Sequence, residues 1–330
     1  MLITRRLAIM GAALAPLGAC ATGAAETEPA PPPRRFVYDD VHRYNATIAS
    51  IQNGADPTTA FQAYLDGATD GMQTWLGVYP IEAAQLVRQW ERRPKYLASL
   101  ASMPERLAPL ETEIARAYAR MEAMHPGADL GAIYYLVGRY TAGGTARQHT
   151  MVAVEFCGRT PETDMSEFSE NAVLYGMNEL VQLVVHEGSH NLQRQIQGQD
   201  NYITIYIDQS RMTLRNFAIR EGVSDYIAAF LTGRHIEPRH VFAEPREAEI
   251  WAEFQPIMHQ TIFEQPGWFQ GAFADGREWP NQVGYFVGYK MAEYIHTSAA
   301  DRDAALIELL SPHTDEQFQA IADRYAAKFA

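Results

Sequence analysis

The chain has 330 residues, of which 47% are hydrophobic, and a formal net charge of −13 at pH 7. This hydrophobic fraction is typical of globular proteins and excludes an intrinsically disordered chain, and the length suffices for one large domain. No basic cluster follows the N-terminal segment, so nucleic acid is excluded as an expected partner, because phosphate binding needs a basic surface.

The first 20 residues are typical of a bacterial lipoprotein signal peptide. Arg5 and Arg6 precede an apolar run, and Leu17-Gly18-Ala19-Cys20 resembles a lipobox, which would make Cys20 the lipidated first residue of the mature protein. An ordinary secretory leader is the alternative, and the arginine pair leaves twin-arginine export open beside the general route. We expect a protein of the bacterial cell envelope, anchored to the membrane through Cys20 and facing the periplasm or the exterior, or else a secreted protein.

The next residues, 21–35, are rich in Ala, Pro and Glu and predict a flexible tether. A single domain over 36–330 would follow, with an N-terminal helical part (36–128) and a second part (129–330). In the N-terminal part, apolar residues recur at intervals of three and four, which predicts helices near 40–52, 58–72, 80–93 and 104–124.

The second part begins with β-branched and aromatic runs at 132–137 and 150–156, which predict two strands separated by a turn at 141–145. A helix is predicted from Asn171 or Gly176 to Gln195, broken at 198–201, and another from Arg211 to Thr232. Further helical patterns cover about 245–262, 281–298, 300–310 and 314–328, and 264–280 is a predicted loop. The predicted fold class is mostly α (α+β), with a small sheet whose edge could pair with an extended substrate.

The helix that ends near Gln195 contains H-E-x-x-H, as His186, Glu187 and His190. Positions i and i+4 share one face of a helix, so both imidazoles can bind one metal ion. Glu187, one residue round from His186, can reach a metal-activated water as a general base without being a ligand. The motif therefore predicts part of a zinc site together with its catalytic base.

A catalytic zinc ion usually has a third protein ligand, and Glu221 in IREGVSDYIAAF is the strongest candidate. Asp225 lies one turn further along the same face, where it could accept the other ring N–H of His186 and fix its orientation. Both carboxylates could instead be solvated helix charges. The apolar residues around them, including Ile219 and Val223, favour the metal site.

The segments HEGSH, REGVSDYIA and NQVGYFVGYKMAEYI resemble the gluzincin metallopeptidases of the peptidase MA clan. The resemblance is greatest to a bacterial family of predicted zinc-dependent proteases of unknown function, and it covers roughly 130–298, including YTAGGTARQHTMVAVEF. It implies a zincin-like domain in which His186, His190 and Glu221 bind one Zn²⁺ and Glu187 is the catalytic base.

Gluzincins commonly use a tyrosine or histidine from a later helix to stabilise the oxyanion that forms during amide hydrolysis. Here the resemblance points to Tyr285, ahead of Tyr289, which lies four residues further along the same predicted helix. Two tyrosines in a helix interface are the alternative interpretation of this pair.

The sequence predicts an envelope zinc metallopeptidase whose partner is a peptide or protein substrate. One alternative is a non-catalytic lipoprotein that uses the metal structurally or acts as a partner-binding module, and another is a chance motif that binds no metal. Glu187 favours catalysis, because a purely structural site does not need a base.

Overall fold

The computed structural model of the chain describes residues 33–169, 174–280 and 282–330. The predicted signal peptide, its Cys20 and residues 21–32 of the predicted tether lie outside the described residues. Of the predicted tether the structure describes residues 33–35, where the Arg34 guanidinium pairs with Glu122 at 2.5 Å and lies 4.6 Å from the centre of the Tyr118 ring. The folded domain therefore includes Arg34.

The described part of the chain is mostly helical with one small sheet, so the predicted fold class is confirmed at that level. No described helix is long and apolar enough to cross a lipid bilayer. In chain order the elements are β1 Phe36–Val37, α1 Asp39–Gln52, α2 Pro57–Asp66, α3 Asp70–Val78, α4 Ala83–Arg92, α5 Pro94–Ser99, α6 Met103–Leu107, α7 Glu111–Met124, β2 Ile133–Leu136, β3 Gly144–Ala146, β4 Thr150–Ala153, α8 Met177–Gln197, α9 Gln199–Ile207, α10 Leu214–Phe217, α11 Val223–Thr232, α12 Glu237–Ala243, α13 Glu247–Phe254, α14 Val283–Ser298, α15 Arg302–Leu310 and α16 Asp315–Ala326.

Several element boundaries differ from the prediction because local capping interrupts the apolar pattern. The helix predicted over 58–72 is two helices, since Thr69 caps the start of α3 by accepting a hydrogen bond from the Met72 N–H. The break predicted at 198–201 is confined to Gly198, whose φ of 76° ends α8, and α9 starts at once. The predicted helix start at Asn171 lies outside the described residues, and α8 begins at Met177.

The sheet has four strands in the order β1-β2-β4-β3. Strands β1, β2 and β4 run parallel, and β3 is antiparallel to β4, with Gly144 opposite Val152 and Ala146 opposite Thr150. The sequence predicted β2 and β4 but not β1, and it placed the start of β3 in a turn. β4 is shorter than predicted, because Val154–Phe156 form a 3₁₀ turn.

The N-terminal helices support the helix that carries H-E-x-x-H. From α7, the Tyr118 hydroxyl bonds to the carbonyl of Val184 in α8 at 3.0 Å and to Thr150 of β4 at 2.9 Å. A Cβ at Gly188 would lie 2.7 Å from the Tyr118 ring, so only glycine permits this contact inside the motif. One hydrophobic core includes residues from the first helix to the last and surrounds α8.

A five-residue π-helical turn, Ala218–Gly222, joins α10 to α11. Such turns insert one residue more than an α-helical turn and are frequent at functional sites. Its neighbour is α14, which approaches so closely that a Cβ at Gly288 would lie 1.8 Å from the Ala218 carbonyl oxygen. Gly222 and Gly288 thus let two backbones touch directly beside Glu221.

Candidate metal site

Three buried side chains from α8 and the π-helical turn form a potential metal site: His186, His190 and Glu221. One ligand atom from each lies within 4.8 Å of the other two. The Glu221 Oε2 atom lies 3.4 Å from His186 Nε2 and 3.2 Å from His190 Nε2. Donor atoms about 2.0–2.1 Å from a tetrahedral metal ion are separated by about 3.3–3.4 Å, so the two measured separations fit one small ion.

Hydrogen bonds fix the tautomer of His190. Its Nδ1 lies 3.0 Å from Gln193 Oε1 and 3.1 Å from the Ser224 hydroxyl oxygen. The Gln193 amide and the Ser224 hydroxyl both donate to the carbonyl of Arg220, so towards His190 each acts as an acceptor. The proton of His190 is therefore on Nδ1, which leaves the Nε2 lone pair for a metal ion.

Asp225 orients His186 from one turn beyond Glu221. Its Oδ1 lies 2.7 Å from His186 Nδ1 and also accepts a hydrogen bond from the Gln182 amide at 2.8 Å, while Oδ2 pairs with Arg239. Burial raises the pKa of Asp225, but the charges of Arg239 and His186 more than offset this and hold it at about 2. An ionised Asp225 accepts the Nδ1 proton and again directs Nε2 towards the shared point.

Glu221 is held at both oxygen atoms. Oε2 faces the histidines, and Oε1 accepts a hydrogen bond from the Tyr206 hydroxyl at 3.2 Å. Burial raises the pKa of this carboxyl, yet interactions with His190 and His186 outweigh burial and keep the pKa well below the ordinary value. An ionised carboxylate with one oxygen already engaged is suited to bind a metal ion through the other.

Glu187 lies beside the ligands with its carboxylate against β3. A Cβ at Gly144 would be 2.5 Å from Glu187 Cγ, so this strand can pass so close to the carboxylate only because residue 144 is glycine. Burial raises the pKa of Glu187, while the nearby histidines oppose the rise. Within the described ranges its carboxylate makes no hydrogen bond, so it can accept a proton from a bound molecule.

The two candidate tyrosines of α14 have different surroundings. The Tyr285 ring is 6.3 Å from the His186 ring and 5.8 Å from the Phe269 ring, and the Arg239 guanidinium lies 4.6 Å from its centre. The Tyr289 ring instead packs edge-on against His240 at 4.6 Å. The structure thus brings Tyr285, rather than Tyr289, to the metal ligands, and burial keeps the pKa of Tyr285 well above the ordinary value, so its hydroxyl keeps its proton.

Sequence reasoning missed the residues that hold the ligands in place. They come from four elements and share one role, which is to contact a ligand or Asp225: Gln182, Gln193, Tyr206, Ser224 and Arg239. For three of them a local signal existed. Gln182 lies four residues before His186 and Gln193 three residues after His190, and Ser224 lies three residues after Glu221, so each is about one helical turn from a candidate ligand.

No protein-family model, curated protein or solved structure matches this chain. The resemblance to gluzincins therefore stays a prediction, and the geometry of the site is the observation that bears on function.

Proposed function

We propose that this protein is a zinc-dependent peptidase of the gluzincin type, with a zincin-like fold and Glu187 as its general base. The observation that carries this proposal is the meeting of three buried donor atoms at one point, with the Nδ1 side of both imidazoles already engaged. Two imidazole nitrogens and one carboxylate oxygen at tetrahedral spacing form a donor set that zinc accepts and that leaves a fourth position open.

The chemistry follows from the side chains around that point. A zinc ion held there would supply Lewis acidity, polarising a carbonyl group and lowering the pKa of a water molecule. Glu187 removes a proton from the attacking water and passes it to the departing amine, while the remaining hydroxide bonds to the carbonyl carbon and the C–N bond breaks. Tyr285 donates a hydrogen bond to the carbonyl oxygen as it gains negative charge.

The test is cleavage of a diverse peptide library by the zinc-loaded protein beside the Glu187→Gln variant. The variant should bind one zinc ion per chain, measured by elemental analysis, and should lose hydrolysis. Glu179→Gln is the matched control, because Glu179 closes the first turn of the same helix as part of its capping interaction, a role that glutamine can also perform. Equal turnover by wild type and Glu187→Gln would refute the mechanism.

A non-catalytic metal-binding lipoprotein or partner-binding module makes a different prediction for the same experiment. A closed structural site needs a fourth protein ligand, whereas the metal-binding group found among the described residues has three. Stoichiometric zinc without hydrolysis of any peptide, combined with unfolding on chelation, would favour this alternative.

We also propose that the enzyme works in the bacterial cell envelope, anchored by a lipid on Cys20. The lipobox-like sequence before Cys20 supports this location. Replacing Cys20 with alanine should move the exported protein from the membrane fraction to the soluble fraction. Retention of the variant in the membrane fraction would contradict the anchor, and a wild-type protein that is soluble after export would favour the secreted alternative.

A further inference from the structure

The outer strand of the sheet, β3, pairs with a strand on one side only and lies beside Glu187. The Arg147 N–H bonds to the His149 carbonyl at 2.9 Å and the Ala153 N–H bonds to the Gly143 carbonyl at 2.8 Å, so residues 143 and 147 direct their backbone groups to β4. In an antiparallel pair the alternate residues, here Gly144 and Ala146, direct theirs to the opposite side, where the Ala146 carbonyl accepts a hydrogen bond from the Arg147 guanidinium at 2.9 Å. A peptide that pairs with this edge would pass Glu187 at Gly144.

Arg147 follows directly after β3. At about 3.3 Å per residue, its backbone is about 10 Å from that of Gly144, a distance that an extended peptide covers in three residues. Its guanidinium is partly buried and donates to the carbonyl of Ala146 at 2.9 Å, and it has no carboxylate partner in the part of the chain that the structure describes. Burial raises the pKa of Glu187, and the positive charge of Arg147 is one of the charges that lower it, so the Arg147 guanidinium is near the Glu187 carboxyl.

A second arginine, Arg194, contacts the backbone of Arg147. Arg194, one turn after His190 on α8, donates through Nη2 to the Arg147 carbonyl at 2.6 Å and to the Asn191 side chain at 2.7 Å. Its Nε–H is buried without a partner, and it too lacks a carboxylate partner in the described ranges. Burial lowers the pKa of Arg194, and the charge of Arg147 lowers it further.

Two partly buried arginines that form no ion pair with a carboxylate among the described residues are unexpected in a chain with a net charge of −13. Like charges held close together repel each other and attract anions. The anion that best matches a guanidinium at the end of a peptide-binding edge is a carboxylate, which the planar fork can bind through two parallel hydrogen bonds.

We propose that Arg147, backed by Arg194, binds a carboxylate of the substrate about three residues from the scissile bond, so that this enzyme selects peptides carrying a carboxylate at that distance. The carboxylate belongs to an acidic side chain or to the free C-terminus of the peptide. The proposal depends on the proposed peptidase function for its scissile bond, but binding of a carboxylate can be measured without cleavage.

The test uses peptides of one sequence in four versions, with Glu or Gln at the positions two to four residues from the cleaved bond and with a free or an amidated C-terminus. Hydrolysis by the zinc-loaded full chain gives kcat/KM, and fluorescence anisotropy with the Glu187→Gln protein gives Kd. Because of a charge-assisted hydrogen bond, the peptide with the recognised carboxylate should have a kcat/KM about 10- to 100-fold higher, and a Kd lower by the same factor, than its neutral counterpart.

Arg147→Gln should reduce this ratio to about one, and Arg147→Lys should restore part of it, because an ammonium keeps the charge without the planar fork. Arg88→Gln, an exposed arginine of α4, removes the same charge and should leave the ratio unchanged. A preference for Glu identifies a side-chain carboxylate, and a preference for the free terminus identifies the C-terminal one.

Glu187-dependent cleavage without either preference would overturn the proposal and leave the peptidase function standing. Carboxylate-dependent binding that is lost in Arg147→Gln, without any cleavage, would support the binding site and overturn the peptidase function. Neither binding nor cleavage of any version would overturn both.

Discussion

Glu155 should make the protein less stable as the pH rises from about 4.5 to about 7. It lies in the 3₁₀ turn after β4 with no exposed surface. One carboxyl oxygen accepts the Tyr140 N–H at 3.2 Å, whereas the other is buried without a partner, as is the indole nitrogen of Trp75. A Cβ at Gly138 would lie 3.0 Å from the bonded oxygen and 3.6 Å from that nitrogen, so the carboxyl and the indole occupy one small space.

Burial raises the pKa of Glu155 from 4.5 to about 7, against three backbone hydrogen bonds that lower it. Below pH 4.5 the carboxyl is protonated in both the folded and the unfolded chain, so it does not change the free energy of unfolding. Between these two pKa values the unfolded chain loses the proton while the folded chain keeps it, so stability falls as the pH rises. At about 1.4 kcal/mol for each pKa unit, the full loss above pH 7 is about 3 kcal/mol.

The Glu155→Gln variant removes this titration. The difference in free energy of unfolding between variant and wild type should therefore shift in favour of the variant by about 3 kcal/mol between pH 4.5 and pH 8. In thermal unfolding this is a relative gain of several degrees, on the order of 5 °C for a domain of this size. Comparing two proteins at each pH cancels the titration of groups that they share.

Glu249→Gln is the control, because Glu249 is exposed on α13. Its stability relative to wild type should vary little over the same range. If the free energies of unfolding of Glu155→Gln and wild type differ by the same amount at pH 5 and pH 8, the buried carboxyl does not titrate in this range and the predicted pH dependence is wrong.

Four further predictions concern the metal site and its support. Tyr206→Phe should weaken zinc binding about 10-fold, because it frees one oxygen of Glu221, and Asp225→Asn should weaken it about 10- to 100-fold. Competition with a chelator measures both affinities. Unchanged affinities would show that these contacts do not hold the ligands. Gly288→Ala should lower the free energy of unfolding by about 3 kcal/mol or more, because its Cβ would lie 1.8 Å from the Ala218 carbonyl oxygen. Denaturant unfolding measures this, and near-wild-type stability would rule out that contact. Tyr285→Phe should lower kcat about 10²- to 10³-fold at unchanged zinc content, and an unaltered kcat would exclude it as the oxyanion donor.

The parts of the site that local geometry determines could be predicted from the sequence. Spacing alone puts His186 and His190 on one helical face, and the same periodicity puts Asp225 one turn from Glu221. A carboxylate among apolar residues, as Glu221 is in its segment, costs free energy unless it has a partner, so its pairing could be expected as well.

The other contacts of the candidate site depend on long-range packing, which the local sequence patterns do not predict. Arg239 has the sequence context of an ordinary helix charge, and only the fold brings its guanidinium to Asp225. Tyr206 belongs to α9, a helix that was not predicted because its first turn contains polar residues typical of a loop. The start of β3 was predicted as a turn for a similar reason: its first residue, Gly144, has a low strand propensity, and glycine fits there because the Glu187 side chain occupies the space that a Cβ would fill.

The choice between Tyr285 and Tyr289 shows that a signal can be present in the sequence without being recognised. Successive residues of a helix are rotated by about 100°, so Tyr285 lies about 60° from Gly288 around the axis of α14, and Tyr289 about 100° in the same direction. Gly288 must face the π-helical turn, because a Cβ at this position would lie 1.8 Å from the Ala218 carbonyl oxygen. That contact fixes the rotation of α14 and leaves Tyr285 about 40° nearer than Tyr289 to the turn that contains Glu221. A tyrosine three residues before such a glycine is therefore the one to expect at the metal ligands, and a glycine in the segment of Glu221, here Gly222, identifies the surface that it packs against.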